Sequence, residues 1–378
     1  MLYVDVNPQI LKWAGARVGI ESIEGKFKKF DEWVKGSSRP TLRQLEKFAT
    51  ATYTPIGYFY LDGPPDLSIP IPDFRTIGNI GLKEPSPNLL DTIHLCEQRQ
   101  VWYREHMISM GEDGAVIVGS VTKDDDIADI ASRTRNILGM DLKDRDKIPT
   151  WTEMIRYLSD RIEENGILVM INGVVGNNNH RRLDPREFRG FALSDPIAPM
   201  IFVNGADTKA AQVFTLAHEL AHILLGETGI SIVGPETETS GDIESWCNHF
   251  AAEILVPLDH LKEIYNGEND LDDELNRLAR IYKVSSLVIL RRIYDMGHLT
   301  REEFWNEFDT RMKDLVGKGG STGGNFYNTQ STRLGRLFPR ALLTSTLEGN
   351  TLYHEAFKLL GFTKMSTFRD LSHHLGVG

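Results

Sequence analysis

Cysteine is nearly missing: two, Cys96 and Cys247, stand far apart in 378 residues. So few exclude a disulfide framework and point to a reducing compartment. Long apolar runs are missing too, and no stretch approaches the roughly 20 residues that a bilayer span needs. The opening MLYVDVNPQI lacks the basic start and apolar run of a secretory signal. The expected location is therefore the cytoplasm. An excess of positive charge is also missing, with 42 Lys and Arg against 53 Asp and Glu and a net charge of −11. The chain as a whole is not built to coat nucleic acid or an anionic membrane, although one domain can still carry a basic patch. What is present is ordinary globular material: 41% apolar and 25% charged residues, with length for two or three domains.

Residues 1–62 read as a small helical domain. Apolar positions recur at helical spacing in 7–19 and again in 40–53, with shorter helical pieces, IESIEGKF and FDEWVKGS, between them. A proline-rich linker is expected over 63–85, since GPPDLSIPIPDF favours an extended spacer. Residues 86–316 form the main domain. It opens on a long helix over 86–111 and two further helices over 125–139 and 150–165. Strand signals follow at 166–173, 186–194 and 199–205, which predicts a small, largely antiparallel sheet. Helices fit 207–226, 242–255, 258–265, 270–282, 285–296 and 300–316. Residues 317–378 contain the Gly-rich GKGGSTGGN and then a helical C-terminal region. The expected fold class is α+β.

The chemistry concentrates in AHELAH at 217–222, inside VFTLAHELAHILLG. His218 and His222 are four apart, so on a helix they sit one turn apart and about 40° around the axis. Their imidazoles can converge on one ion, and neutral imidazole suits Zn²⁺. Glu219 can reach a water in the metal's open position without being a ligand. This is the HExxH arrangement of zinc peptidases. Two incidental histidines would leave two imidazoles and a carboxylate buried without a compensating partner. The strand-like PMIFVNG directly before the motif suggests a sheet edge on which a substrate backbone could lie as an extra strand.

A catalytic zinc needs a third protein ligand. DIESWCNHFAAEILVP at 242–257 reads as the next helix. Glu244 and Asn248 share one face of it. Glu244 is the chosen third ligand, and Asn248 is placed to hold the outer nitrogen of a ligand histidine or, failing that, to make a polar packing contact. Glu253 lies off that face and reads as a salt-bridge or solvent-facing carboxylate. Cys247 reads as a small hydrophobe that fills space, and His249 as surface or packing. In 280–297, Arg291 and Arg292 fit the basic face of a packing helix better than a second DNA reader. NNNHRRLD at 177–184 reads as a polar hairpin loop, from which His180 or Arg181 could instead lean over the cleft.

At these residues the sequence resembles the ImmA/IrrE family of metallopeptidases. That family follows HExxH with a helix of pattern E-x-x-A-N-x-F-A-A-x-L-L-x-P, matched here by Glu244, Asn248, Phe250 and Pro257, with Cys247 in place of the usual alanine. The order also resembles thermolysin-type zinc peptidases. The resemblance covers roughly 150–265. It implies one Zn²⁺ per chain on His218, His222 and Glu244, with Glu219 as catalytic base. GSSRPTLRQLEKFATATYTPIGYFYL resembles the second half of a Cro/repressor-type helix-turn-helix, and the tail from GGNFYNTQ onward resembles the C-terminal region of longer members. The implied activity is regulatory cleavage of a specific protein, a repressor or antitoxin-type partner, in phage, stress or toxin–antitoxin control. The alternative is a non-proteolytic antitoxin or transcription regulator that binds a protein, DNA or both.

One departure bears on DNA. Between Ile23 and Gly36 the chain is about one helical turn short of the repressor pattern, and the recognition piece carries Asp31 and Glu32. Residues 1–60 hold nine Lys/Arg against six Asp/Glu, a net +3, below what major-groove readers usually show. The expected partner of this domain is a protein, with DNA binding weak or non-specific.

Overall fold

The computed structural model describes residues 2–73, 84–231, 242–315 and 332–377. The expected Gly-rich linker at 317–325, part of the proline-rich linker and most of the segment between the helices expected at 207–226 and 242–255 lie outside the described residues. The molecule is mixed α+β, with helical N-terminal and C-terminal parts and a small sheet. Its residues divide into two units: Met1–Pro70 with Gly81–Ile93, and Ile71–Ile80 with His94–Gly378.

The first unit holds α1 (Pro8–Val18), α2 (Ile20–Lys26), α3 (Phe30–Val34) and α4 (Leu42–Thr52). Asn7 caps α1 with a proline in its first turn, and Thr41 and Gln44 form a reciprocal capping box on α4, which satisfies orphan N–H groups at each start. Phe48 lies at the centre of the core, with the rings of Phe27, Phe30, Trp33 and Phe59 packed around it. The recognition-piece helix, α3, has only 5 residues, and two of them, Phe30 and Trp33, are spent on this core.

The second unit is built on β1 (Leu168–Asn172), β4 (Gly190–Leu193), β5 (Met200–Asn204) and β6 (Gly229–Ser231), in the order β1-β5-β4-β6. β4 runs antiparallel to both neighbours, while β1 and β5 are parallel. A separate hairpin pairs β2 (Val174–Val175) with β3 (Asn178–Arg182). β5, the strand before the motif, lies inside the sheet and offers no free edge. The outer strand near the motif is β6, and part of its edge is used by the chain itself: Ile230 donates its N–H to the Pro72 carbonyl at 3.0 Å, beside a parallel bridge to Asp73.

α8 (Lys209–Leu225) packs on β4 and β5 and against α7 (Trp151–Glu163) and α9 (Asp242–Leu255). Gln212 through Leu224 are all buried, as a helix enclosed on all sides requires. Thr208 caps its start and Gly226, in the left-handed region at φ 77°, ends it.

The end of α9 is held by arginines. A helix leaves its last four carbonyls without intrahelical partners. Here Arg135 donates to Glu253 O at 2.9 Å, Arg145 to Ile254 O at 2.9 Å and to Leu255 O, and Arg292 to Val256 O at 3.0 Å. Three cations thus complement the negative end of the helix dipole.

The C-terminal helices, Leu337–Leu347, Tyr353–Leu360 and Met365–His374, are seated through specific polar contacts. The Glu163 carboxylate, at the end of α7, accepts from the N–H groups of Arg336 at 3.0 Å and Leu337 at 3.2 Å. Gly335 has φ 69°, and a Cβ there would lie 2.2 Å from Glu163 Oε1, so only glycine fits. Arg99 donates to Leu359 O at 3.0 Å, and Asn177 donates to Leu360 O and Gly361 O at 3.1 and 3.0 Å.

Candidate metal centre

α8 aims the two motif histidines the same way. Their ring centroids are 4.9 Å apart and their Nε2 atoms 3.1 Å apart. α9 brings Glu244 to the same point, with Oε1 3.0 Å from His222 Nε2 and Oε2 3.3 Å from His218 Nε2. Ligands about 2.0–2.1 Å from a tetrahedral Zn²⁺ would stand about 3.3 Å from one another, so these three donors fit such an ion with little movement. Both histidines are fully buried and Glu244 is 5% exposed. Asn248 Oδ1 lies 3.0 Å from His218 Nδ1. Accepting there fixes the proton on Nδ1 and leaves the Nε2 lone pair facing the cluster.

The electrostatics suit a cation. Burial, the largest effect, pushes the His222 pKa down, which keeps its imidazole neutral. Burial also works against ionised Glu244, but its close contacts with His218 and His222 outweigh it and bring its pKa down to about 2. Glu219 is fully buried, and neither of its carboxylate oxygens has a hydrogen-bond partner among the described residues. Burial and then the Glu244 charge raise its pKa well above the usual carboxylate range. A buried carboxylate of this kind, with no paired charge, is costly and is a signature of a working site.

Cys247 also approaches the cluster, its sulfur within 4.8 Å of the His218 and His222 donor nitrogens. Sequence alone treated it as filler, and the structure makes it a second possible donor beside Glu244. Burial raises its thiol pKa well above the ordinary value, with Glu244 and Glu219 adding to the effect. Glu253 is elsewhere, ion-paired to Arg292 and accepting from Leu258 N at 3.3 Å. His249 is exposed. Arg291 pairs with Asp295 at 2.9 Å. His180 is on the exposed face of β3, and that hairpin's side-chain contacts run to the C-terminal region, with Asn179 accepting from Arg333 at 3.0 Å.

Two residues at the site went unnoticed in the sequence. Ser231, the last residue of β6, is fully buried with its Oγ 3.5 Å from His222 Nε2. Gly190, its partner on β4, is so close to α8 that a Cβ would lie 2.7 Å from Glu219 Oε1. Neither carries a periodic or motif signal.

No curated protein matches the chain. Residues 334–374 match a domain of unknown function (DUF8813). Residues 162–294 match the IrrE N-terminal-like domain, Peptidase_M78. Neither match reaches residues 1–62, and the stretch similar to the IrrE N-terminal-like domain, 162–294, has α8 and α9 near its centre.

Proposed function

We propose that the chain is a zinc-dependent endopeptidase of the cytoplasm, with His218, His222 and Glu244 as ligands of one Zn²⁺ and Glu219 as general base. The observation that carries this reading is the convergence of three donor side chains, with contacts of 3.0–3.3 Å, beside a buried carboxylate that has no hydrogen-bond partner among the described residues. Bound Zn²⁺ would act as a Lewis acid on the scissile carbonyl and make water a stronger acid. Glu219 takes the proton from the attacking water and passes it to the leaving amine. Asn248 keeps His218 in the required tautomer. An extended substrate would lie along β6 beyond Ile230, or displace residues 72–73 from its edge.

The substrate is one partner protein of repressor or antitoxin type, as the ImmA/IrrE resemblance implies. Residues 1–62 would serve to dock that partner. What supports this is α3, too short to enter a major groove and committed to the domain's own core.

Metal analysis of purified variants tests the ligand set. Wild type should hold one Zn²⁺ per chain, Glu244→Ala should lose retention by about tenfold or more, and Cys247→Ser and Glu253→Ala should keep it. Full zinc in Glu244→Ala with loss in Cys247→Ser would make the cysteine the third ligand.

A further inference from the structure

Glu219 projects from the middle of α8 into a space bounded by one rung of the sheet. On one side is the backbone of β4 at Gly190, near enough that a Cβ would lie 2.7 Å from Glu219 Oε1 and 2.6 Å from Thr215 Cγ2. Next to it across the β4–β6 pairing is Ser231, the register partner of Gly190. Ser231 is fixed by its backbone, its carbonyl accepting from Arg189 N–H at 3.2 Å, while Ile230 before it is held by Pro72. Its hydroxyl is fully buried. It stands 3.5 Å from His222 Nε2, the atom that faces the donor cluster, and its register partner Gly190 abuts Glu219 Oε1. Neither Glu219 oxygen has a hydrogen-bond partner at ordinary distance among the described residues, so a nearby hydroxyl is the group able to supply one.

A general base is effective only when its carboxylate is held within hydrogen-bond reach of the proton it takes. A glutamate has three side-chain torsions, and in a pocket with no partner it is free to turn away. The Gly190 backbone closes one direction, and a hydroxyl donor on the neighbouring strand can fix the orientation that remains. We propose that Ser231 is the positioning residue for Glu219, its hydroxyl donating to the carboxylate and directing the free oxygen toward the convergence point of His218, His222 and Glu244. This rests on the metal-centre reading above and adds a residue to it. Glycine at 190 follows from the same geometry, since any side chain there would displace the base.

The test uses the full chain loaded with Co²⁺ in place of Zn²⁺, with acetohydroxamate as probe. A hydroxamate gives up a proton as it binds a metal of this kind, and a correctly aimed glutamate favours that binding. Visible absorption of the cobalt reports affinity without any peptide substrate. Wild type, Ser231→Ala, Ser231→Thr, Glu219→Gln and the Ser231→Ala/Glu219→Gln double variant are compared at equal metal content. Ser231→Ala should bind acetohydroxamate about tenfold more weakly, the scale of one hydrogen bond to a charged group. Ser231→Thr, which keeps the hydroxyl, should restore most of the affinity. In the double variant, loss of Ser231 should add nothing to Glu219→Gln, because the serine works through the glutamate. Wild-type affinity in Ser231→Ala would overturn the assignment, as would a tenfold loss that persists in the Glu219→Gln background. Failure of wild type to take up one Co²⁺ per chain is a different outcome, which would overturn the metal centre itself and this role with it.

Discussion

Glu163 should make the seating of the C-terminal region depend on pH. Its carboxylate is 8% exposed and accepts from the backbone of Arg336 and Leu337. Burial nevertheless dominates and raises its pKa from 4.5 to about 7, with Asp160 adding to the rise and the backbone donors opposing it. Between these two values the folded chain keeps a proton that the unfolded chain has lost. The group's contribution to stability is therefore fully present below about pH 4.5 and is lost as pH rises through 7. The two values lie about 2.5 pH units apart, which at about 1.4 kcal/mol per unit is about 3 kcal/mol. Glu163→Gln keeps a carbonyl oxygen to accept from residues 336 and 337 but cannot titrate. Thermal unfolding of both proteins from pH 5 to 8 isolates the effect, because every other titrating group is common to them. The wild type should lose on the order of 5–10 °C relative to the variant across that range. Parallel curves would refute the reasoning and show Glu163 ionised throughout.

Arg145→Met should leave the carbonyls of Ile254 and Leu255 without their donors. A cost of about 3 kcal/mol is expected, read by urea unfolding, with weaker zinc retention because α9 carries Glu244; unchanged stability would show that water replaces the arginine. The N-terminal domain should bind promoter and scrambled duplexes about equally at physiological salt, with affinity falling steeply as salt rises. A promoter preference of about 10³-fold or more in a competition assay would restore it as an operator reader.

Much of the site could be read in the sequence because its parts are local. His218, Glu219 and His222 share one helix, and Glu244 and Asn248 share the next, so helical periodicity alone puts them on common faces. β1 and β5 are runs of apolar residues that only a buried strand explains. What stayed hidden is set by partners far along the chain. β6 has three residues, one of them glycine, and is a strand only because β4 pairs with it, so no strand signal marks Ser231. Strand signals do not name their neighbours, and β5 took an interior place where an edge was expected. The arginines that close α9 come from about 40 to more than 100 residues away in sequence. The lone Glu163 that receives the C-terminal helices is 173 residues from Arg336, a separation at which no sequence pattern operates.

The proposal that this centre cuts a peptide bond turns on Glu219. Glu219 is no ligand in the proposed set, so Glu219→Gln should fold, hold one Zn²⁺ per chain and still dock its partner. The decisive measurement is cleavage of the partner protein in cells carrying wild type, Glu219→Gln or no copy of the chain. Cleavage should occur with wild type and fall by at least about 10²-fold in the variant, the scale of a lost general base. Equal function of Glu219→Gln and wild type would contradict the peptidase and leave a binding regulator in its place.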